Sequence, residues 1–103
     1  MKGMEPPPHA GTHAFRVAVP TQLRSYTKAA NVTATVVAAQ PRLADVFAAL
    51  EAAYPGIRFR VIDEAGRVRP HMQVFVGGRV QRDPAALLAA GDEIMIVGAL
   101  SGG

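Results

Sequence analysis

Only one segment of this chain carries a long helical period. Leu43, Val46, Phe47, Leu50 and Tyr54 recur at spacings of three and four, which places them on one stripe of a helix. Arg42, Asp45 and Glu51 fall off that stripe, and five alanines between 44 and 53 raise helix propensity. Pro41 suits a first helical turn, and Pro55-Gly56 marks the stop. A helix with one apolar stripe must bury it. No second long helical pattern exists to receive it, so the partner has to be a sheet.

The remaining patterned segments supply that sheet. Residues 14–20 alternate, with Phe15, Val17 and Val19 on one side and Arg16 and Ala18 on the other, which predicts a half-buried strand ended by Pro20. Residues 21–31 read as a polar loop. Residues 32–38 are rich in β-branched side chains and predict a second strand, paired with the first as an antiparallel hairpin. Residues 57–62 alternate Ile, Phe and Val with Arg and read as a further strand, followed by a turn at 63–66. Residues 72–76 predict another, closed by Gly77-Gly78, a pair suited to a tight hairpin turn, with Arg79-Val80 pairing briefly after it. Residues 84–90 suggest a short helical turn, and Gly91-Asp92 turns into a last strand at 93–97. This order predicts an α+β fold of the β-grasp kind: a mixed sheet packed on one main helix. Its domain spans 14–98, after a disordered extension at 1–13 and before a flexible tail at 99–103.

Composition narrows the function. A chain of 103 residues, half of them hydrophobic, suits one domain with a real core. It has no cysteine, which removes disulfides, thiolate metal sites and thiol nucleophiles from its own repertoire. Tryptophan is absent and aromatic residues are few, a poor supply of base-stacking platforms. The formal charge is +3, and nine of the eleven basic residues are Arg, six of them (Arg58, Arg60, Arg67, Arg69, Arg79, Arg82) between 58 and 82. That stretch is the basis for an alternative function, a basic RNA-binding module, although a charge of three is modest for one. His9 and His13 are four apart, but the prolines at 6–8 oppose the helix that would make them a metal pair, and no metal site is expected. Asp63, Glu64, Asp92 and Glu93 fall in turns, where acidic residues are common, and His71 sits beside Arg69 at the start of a strand. No nucleophile–His–acid arrangement is present, so the chain is not expected to be an enzyme or to bind a cofactor. Neither a secretory leader nor a membrane span is predicted, and the expected compartment is the cytoplasm.

The sequence ends on Gly102-Gly103. Glycine there gives a tip without side chains that can enter a narrow partner site. The run Gly91-Asp92-Glu93-Ile94-Met95-Ile96 followed by that ending resembles the ubiquitin-like sulfur carrier proteins, which include the small subunit of molybdopterin synthase, the thiamine-pathway carrier and the carrier of cysteine synthesis. The helix from Leu43 to Tyr54-Pro55-Gly56 and the Val74-Phe75-Val76-Gly77-Gly78 segment are similar to the family's helix and apolar strand with its turn. Pro20-Thr21-Gln22-Leu23-Arg24 resembles a Pro-Thr-x-Leu-Arg segment of the cysteine-synthesis branch. The resemblance covers residues 14–103. The chain departs from it in having Gly98-Ala99 where many relatives have proline, Gly-Gly where they have Asn-Gly, and an extension with no counterpart.

The resemblance implies a carrier whose Gly103 carboxylate is adenylated by an activating enzyme like that for ubiquitin, using ATP bound by that partner, and is then converted to a thiocarboxylate. Gly102 would give the tail access. Leu100 would anchor it in a partner groove. Phe75, Met95 and Val97 lie on the opposite strand parity from Val74, Val76, Ile94 and Ile96, so if the two strands are neighbours they form an exposed apolar patch suited to a partner. The sulfur acceptor implied is a biosynthetic enzyme: most closely a pyridoxal-phosphate cysteine synthase, with a metalloprotease releasing product, and alternatively the molybdopterin or thiamine pathway. A second reading is a ubiquitin-like modifier joined to lysines through Gly103. With only Lys2 and Lys28 on the chain, self-linked polymers would have few sites.

Overall fold

The computed structural model describes residues 11–99. Strand β1 (Gly11–Ala18) runs antiparallel to β2 (Asn31–Ala38) in unbroken register, from Gly11 opposite Ala38 to Ala18 opposite Asn31. Between them lie a 3-10 turn (Thr21–Leu23) and a one-turn helix α1 (Arg24–Thr27). The main helix α2 (Leu43–Ala53) and a short helix α3 (Ile57–Val61) follow. Then come β3 (Met72–Val76), β4 (Arg79–Val80) and β5 (Ile94–Gly98). The sheet order is β2-β1-β5-β3-β4. The last strand is therefore central, parallel to β1 and antiparallel to β3.

One face of this sheet is closed by α2. Leu43, Val46, Phe47 and Leu50 are buried against Phe15, Val17, Ala34, Val36, Val74, Ile94 and Ile96, so the predicted stripe meets the predicted inward parity. Each fully buried aliphatic or aromatic side chain contributes about 1.5–3 kcal/mol. Helix α2 begins where the Asp45 carboxylate accepts the Arg42 N–H at 2.8 Å, the reach-back of an acidic third residue that a capping box uses. Gly77 and Gly78 have φ of 57° and 84° and join Val76 to Arg79. Two consecutive positive φ values make the two-residue hairpin turn whose twist suits the strands.

Four expectations need correction. Gly11, Thr12 and His13, placed in the N-terminal extension, belong to β1; His13 Nε2 lies 3.0 Å from the Ala38 carbonyl oxygen, and its ring stacks near Phe15. Residues 21–31 contain helical turns that bury Leu23 and Thr27. Residues 57–62 were expected as a strand and instead form α3. Ile57 and Val61, four apart, are buried along with Ile62, while Phe59 is 56% exposed. Gly56 (φ 98°) turns the chain sharply, and the Glu51 carboxylate accepts the N–H groups of Gly56 and Arg58 at 2.8 and 3.0 Å. Those are donors that a helix start leaves unpaired. Residues 84–90 form turns, with no helix. The Pro84 and Ala86 carbonyls accept the N–H groups of Ala44 and Leu43 at 2.7 and 3.0 Å, so their backbone acceptors serve the start of α2 and not a helix of their own.

Candidate functional site

The outer face of the sheet has no helix over it among the described residues. The register there builds one lateral row: Asn31 opposite Ala18, Ala18 opposite Met95, Met95 opposite Phe75, Phe75 opposite Val80. Met95 is 48% exposed and Val80 51%, and Phe75 is half-buried. Val97 sits two residues along β5 from Met95, opposite Gln73, and is 37% exposed. The parity that predicted Phe75, Met95 and Val97 as one exposed apolar patch is the parity observed. A shallow cavity of about 560 Å³ opens over its Phe75 and Met95 part, with Arg16 and Glu93 flanking these two; Val97 lies outside the lining. An apolar floor with a cation and an anion at its rim suits protein docking: the floor supplies desolvation and the rim sets orientation.

Ala18 and Val80 belong to this row and were not among the candidates. Val80 was findable: a two-residue Gly-Gly hairpin forces Val76 opposite Arg79, and hence Phe75 opposite Val80. Ala18 required knowing that β5 pairs with β1.

The exit of the tail is built at the other end of β5. Pro20 follows β1, while β5 runs on to Gly98. The 20–24 segment occupies the space beside it. Leu23 is buried, the Arg24 Nε–H donates to the Val19 carbonyl at 3.0 Å, and the Gln22 side chain lies against Gly98. A Cβ on Gly98 would collide with the Gln22 amide. On the opposite side Gly98 pairs with Met72, and the Ala99 N–H donates to the His71 carbonyl at 2.8 Å. Residues leading to the tip thus depart from the centre of the sheet, held on both sides. Leu100, Gly102 and Gly103 lie outside the described residues.

The basic stretch does not form one face. Arg58 and Arg60 sit two apart on α3, which turns them to different sides. The Arg82 guanidinium donates to the carbonyls of Val68 and Met72 at 3.0 and 3.1 Å. Arg69 Nε donates to the Phe59 carbonyl at 2.8 Å, with its guanidinium 4.6 Å from the Phe59 ring centre. Two of the six arginines are therefore engaged in holding loops. Two of the four turn acids are likewise structural: Asp92 accepts the Ala89 N–H at 2.8 Å, and Asp63 accepts the N–H groups of Arg67 and Ala65, each at 2.9 Å, bonds that hold its carboxyl below its ordinary range.

A model of the ThiS family matches residues 17–103. The chain belongs to the ThiS family. The match begins in the last two residues of β1, takes in the other four strands whole and runs through Gly102-Gly103. The ThiS-family chain is similar to CysO of Mycobacterium tuberculosis, an antigen, at 28% identity and TM-score 0.73, over 84% of this chain and 99% of that one. It is also similar in fold to the Amycolatopsis orientalis BexX/CysO complex (24% identity, TM-score 0.75, 86% of this chain and 99% of that one) and to SAMP1 of Haloferax volcanii (24%, 0.74, 87% and 99%). No curated protein matches the sequence. The ThiS-family assignment makes the chain a β-grasp protein of the ubiquitin-like group that comprises sulfur carriers and small modifiers. Among the described residues no helix is long and apolar enough to cross a membrane.

Proposed function

We propose that this protein is a sulfur carrier whose reacting atom is on Gly103. One observation carries the reading. The strand that leads to Gly102-Gly103 is the central strand of the sheet, paired on both sides, so the tail is presented from a fixed point. In the first step a carboxylate oxygen of Gly103 attacks the α-phosphorus of ATP in an activating enzyme. The bond to the β-phosphate breaks and pyrophosphate leaves. In the second, hydrosulfide or its equivalent attacks the carbonyl carbon of the acyl-adenylate. The C–O bond breaks, AMP leaves, and a thiocarboxylate remains. The sulfur is then a tethered anion, delivered as a nucleophile to an acceptor. Both reactions take place in partner active sites. ATP belongs to the activating partner, and this chain binds no cofactor of its own.

Gly102 admits the tip to a narrow channel, Leu100 anchors it, and the Phe75, Met95 and Val97 face docks the partner. The Amycolatopsis orientalis structure, which holds CysO in a complex with BexX, supports a docking role for this type of domain. The similarity to Mycobacterium tuberculosis CysO and the Pro20–Arg24 segment favour cysteine synthesis as the destination, with a pyridoxal-phosphate synthase as acceptor and a metalloprotease releasing product. The test is intact mass after incubation with ATP, sulfide and a candidate activating enzyme. The expected result is the mass gain of one oxygen exchanged for sulfur, lost when Gly103 is deleted. If the enzyme is active on another carrier, an unchanged mass overturns the reading; Gly103 joined to lysines instead supports the modifier alternative.

A further inference from the structure

Beside the tail exit lies a second cleft, of about 320 Å³, and its lining contains no acidic residue. Arg60, Arg69 and His71 provide three basic side chains around it, Gln22 an amide, and Phe59 an exposed aromatic wall. It is continuous with the exit, because Gln22 is the residue packed against Gly98 and His71 is the residue whose carbonyl holds Ala99. Arg69 uses its Nε–H on the Phe59 carbonyl, which leaves its terminal N–H groups for another acceptor. No hydrogen bond from the side chains of Arg60 or His71 occurs among the described residues, and both are exposed. The neighbouring acidic residues Glu51, Asp63 and Glu64 line a different cleft that shares Phe59; of these, Asp63 is near enough to feel the Arg69 charge, but no carboxylate lines the basic cleft itself.

We propose that this cleft docks an acidic polypeptide segment at the mouth of the partner site that takes the tail. Carboxylates meet Arg60, Arg69 and His71, while an apolar side chain packs on the part of Phe59 that the Arg69 guanidinium leaves uncovered. Polypeptide is favoured over nucleic acid because the cations are confined to one small cleft with a single aromatic wall. A phosphate backbone is usually tracked by an extended basic groove with several stacking rings. Paired charges near the exit would also steer encounter so that the tail arrives first. The partner meant is the one that receives the tail, so the proposal rests on the carrier reading.

The test needs no activating enzyme and so fails independently of that reading. Amide shifts of the full chain are followed by NMR during titration with a short capped peptide of Asp and Glu around one Leu, with its Asn/Gln counterpart as control. The expected result is saturable shifts at Gln22, Phe59, Arg60, Arg69, His71 and Ala99 with the acidic peptide only. Affinity falls about tenfold in Arg60→Glu and stays within twofold in Arg79→Glu, which makes the same charge change on the hairpin. Equal losses in both variants, shifts spread over all the arginine-bearing surface, or no saturable shift would overturn the proposal. Tighter binding of an oligouridylate of equal charge to the same residues would replace it with a nucleic-acid site.

Discussion

The two faces of one sheet differ in what covers them. On the inner face Val74, Ile94 and Ile96 are buried under α2; on the outer face their neighbours Phe75, Met95 and Val97 meet solvent. The same strands carry both sets at alternate positions, so a one-residue shift in sequence moves a side chain from the core to the surface proposed for docking. Apolar content alone does not separate the two sets; strand parity does. It also predicts that the two sets can be separated by mutation.

Deleting Gly102-Gly103 has the largest expected effect: the sulfur-for-oxygen mass gain disappears, while the thermal melt stays that of the intact chain. A lowered melt would mean that the tip supports the fold and would blur the division. Next in size is the inner face. Leu50→Ala and Ile96→Ala each cost about 2–5 kcal/mol in denaturant unfolding, from lost transfer energy plus a cavity. Met95→Ser on the outer face stays within about 0.5 kcal/mol of wild type by the same measurement. A Met95 loss as large as that of Leu50 would break the comparison.

The inner face was legible in the sequence because period and chemistry agreed. The stripe from Leu43 to Leu50 and the alternation in β1, β3 and β5 each had one reading, and Gly77-Gly78 announced its hairpin. The Ile57–Val61 segment had two. Ile-Arg-Phe-Arg-Val alternates like a strand, yet Ile57 and Val61 also match at a spacing of four, and so short a run does not separate the periods. What decided it was Glu51, which caps α3 from the preceding helix. The turns at 84–90 were hidden for a similar reason: their carbonyls answer to Leu43 and Ala44, about forty residues away in sequence. The outer row was half legible. Phe75, Met95 and Val97 followed from parity, whereas Ala18 needed the parallel pairing of β1 with β5.

Smaller effects sharpen the picture at its connections. Gly78→Val forces a β-branched residue into a positive φ with open space around it and costs on the order of 1–2 kcal/mol. It would loosen the hairpin that places Val80 beside Phe75, and hydrogen exchange at Phe75 and Val80 reads it. Glu51→Gln has the smallest effect, and its signature is pH. The N–H bonds from Gly56 and then Arg58 hold the Glu51 carboxyl below its ordinary value of 4.5. A carboxylate with a depressed folded pKa stabilises above its unfolded pKa and loses that contribution as pH falls through the folded one. Wild type should therefore melt above Glu51→Gln at neutral pH, and the two curves should converge below about pH 4.5. A gap that persists at lower pH would deny Glu51 its capping role.

The division between faces is tested most directly by steady-state kinetics of the activating enzyme with Met95→Glu as the carrier. A charge placed at the centre of the Asn31-to-Val80 row should raise KM for the carrier about tenfold or more, which is roughly 1.4 kcal/mol of lost docking, with an unfolding midpoint close to wild type. An unchanged KM in a fully folded variant would contradict the account and leave the outer face without a part in recognition.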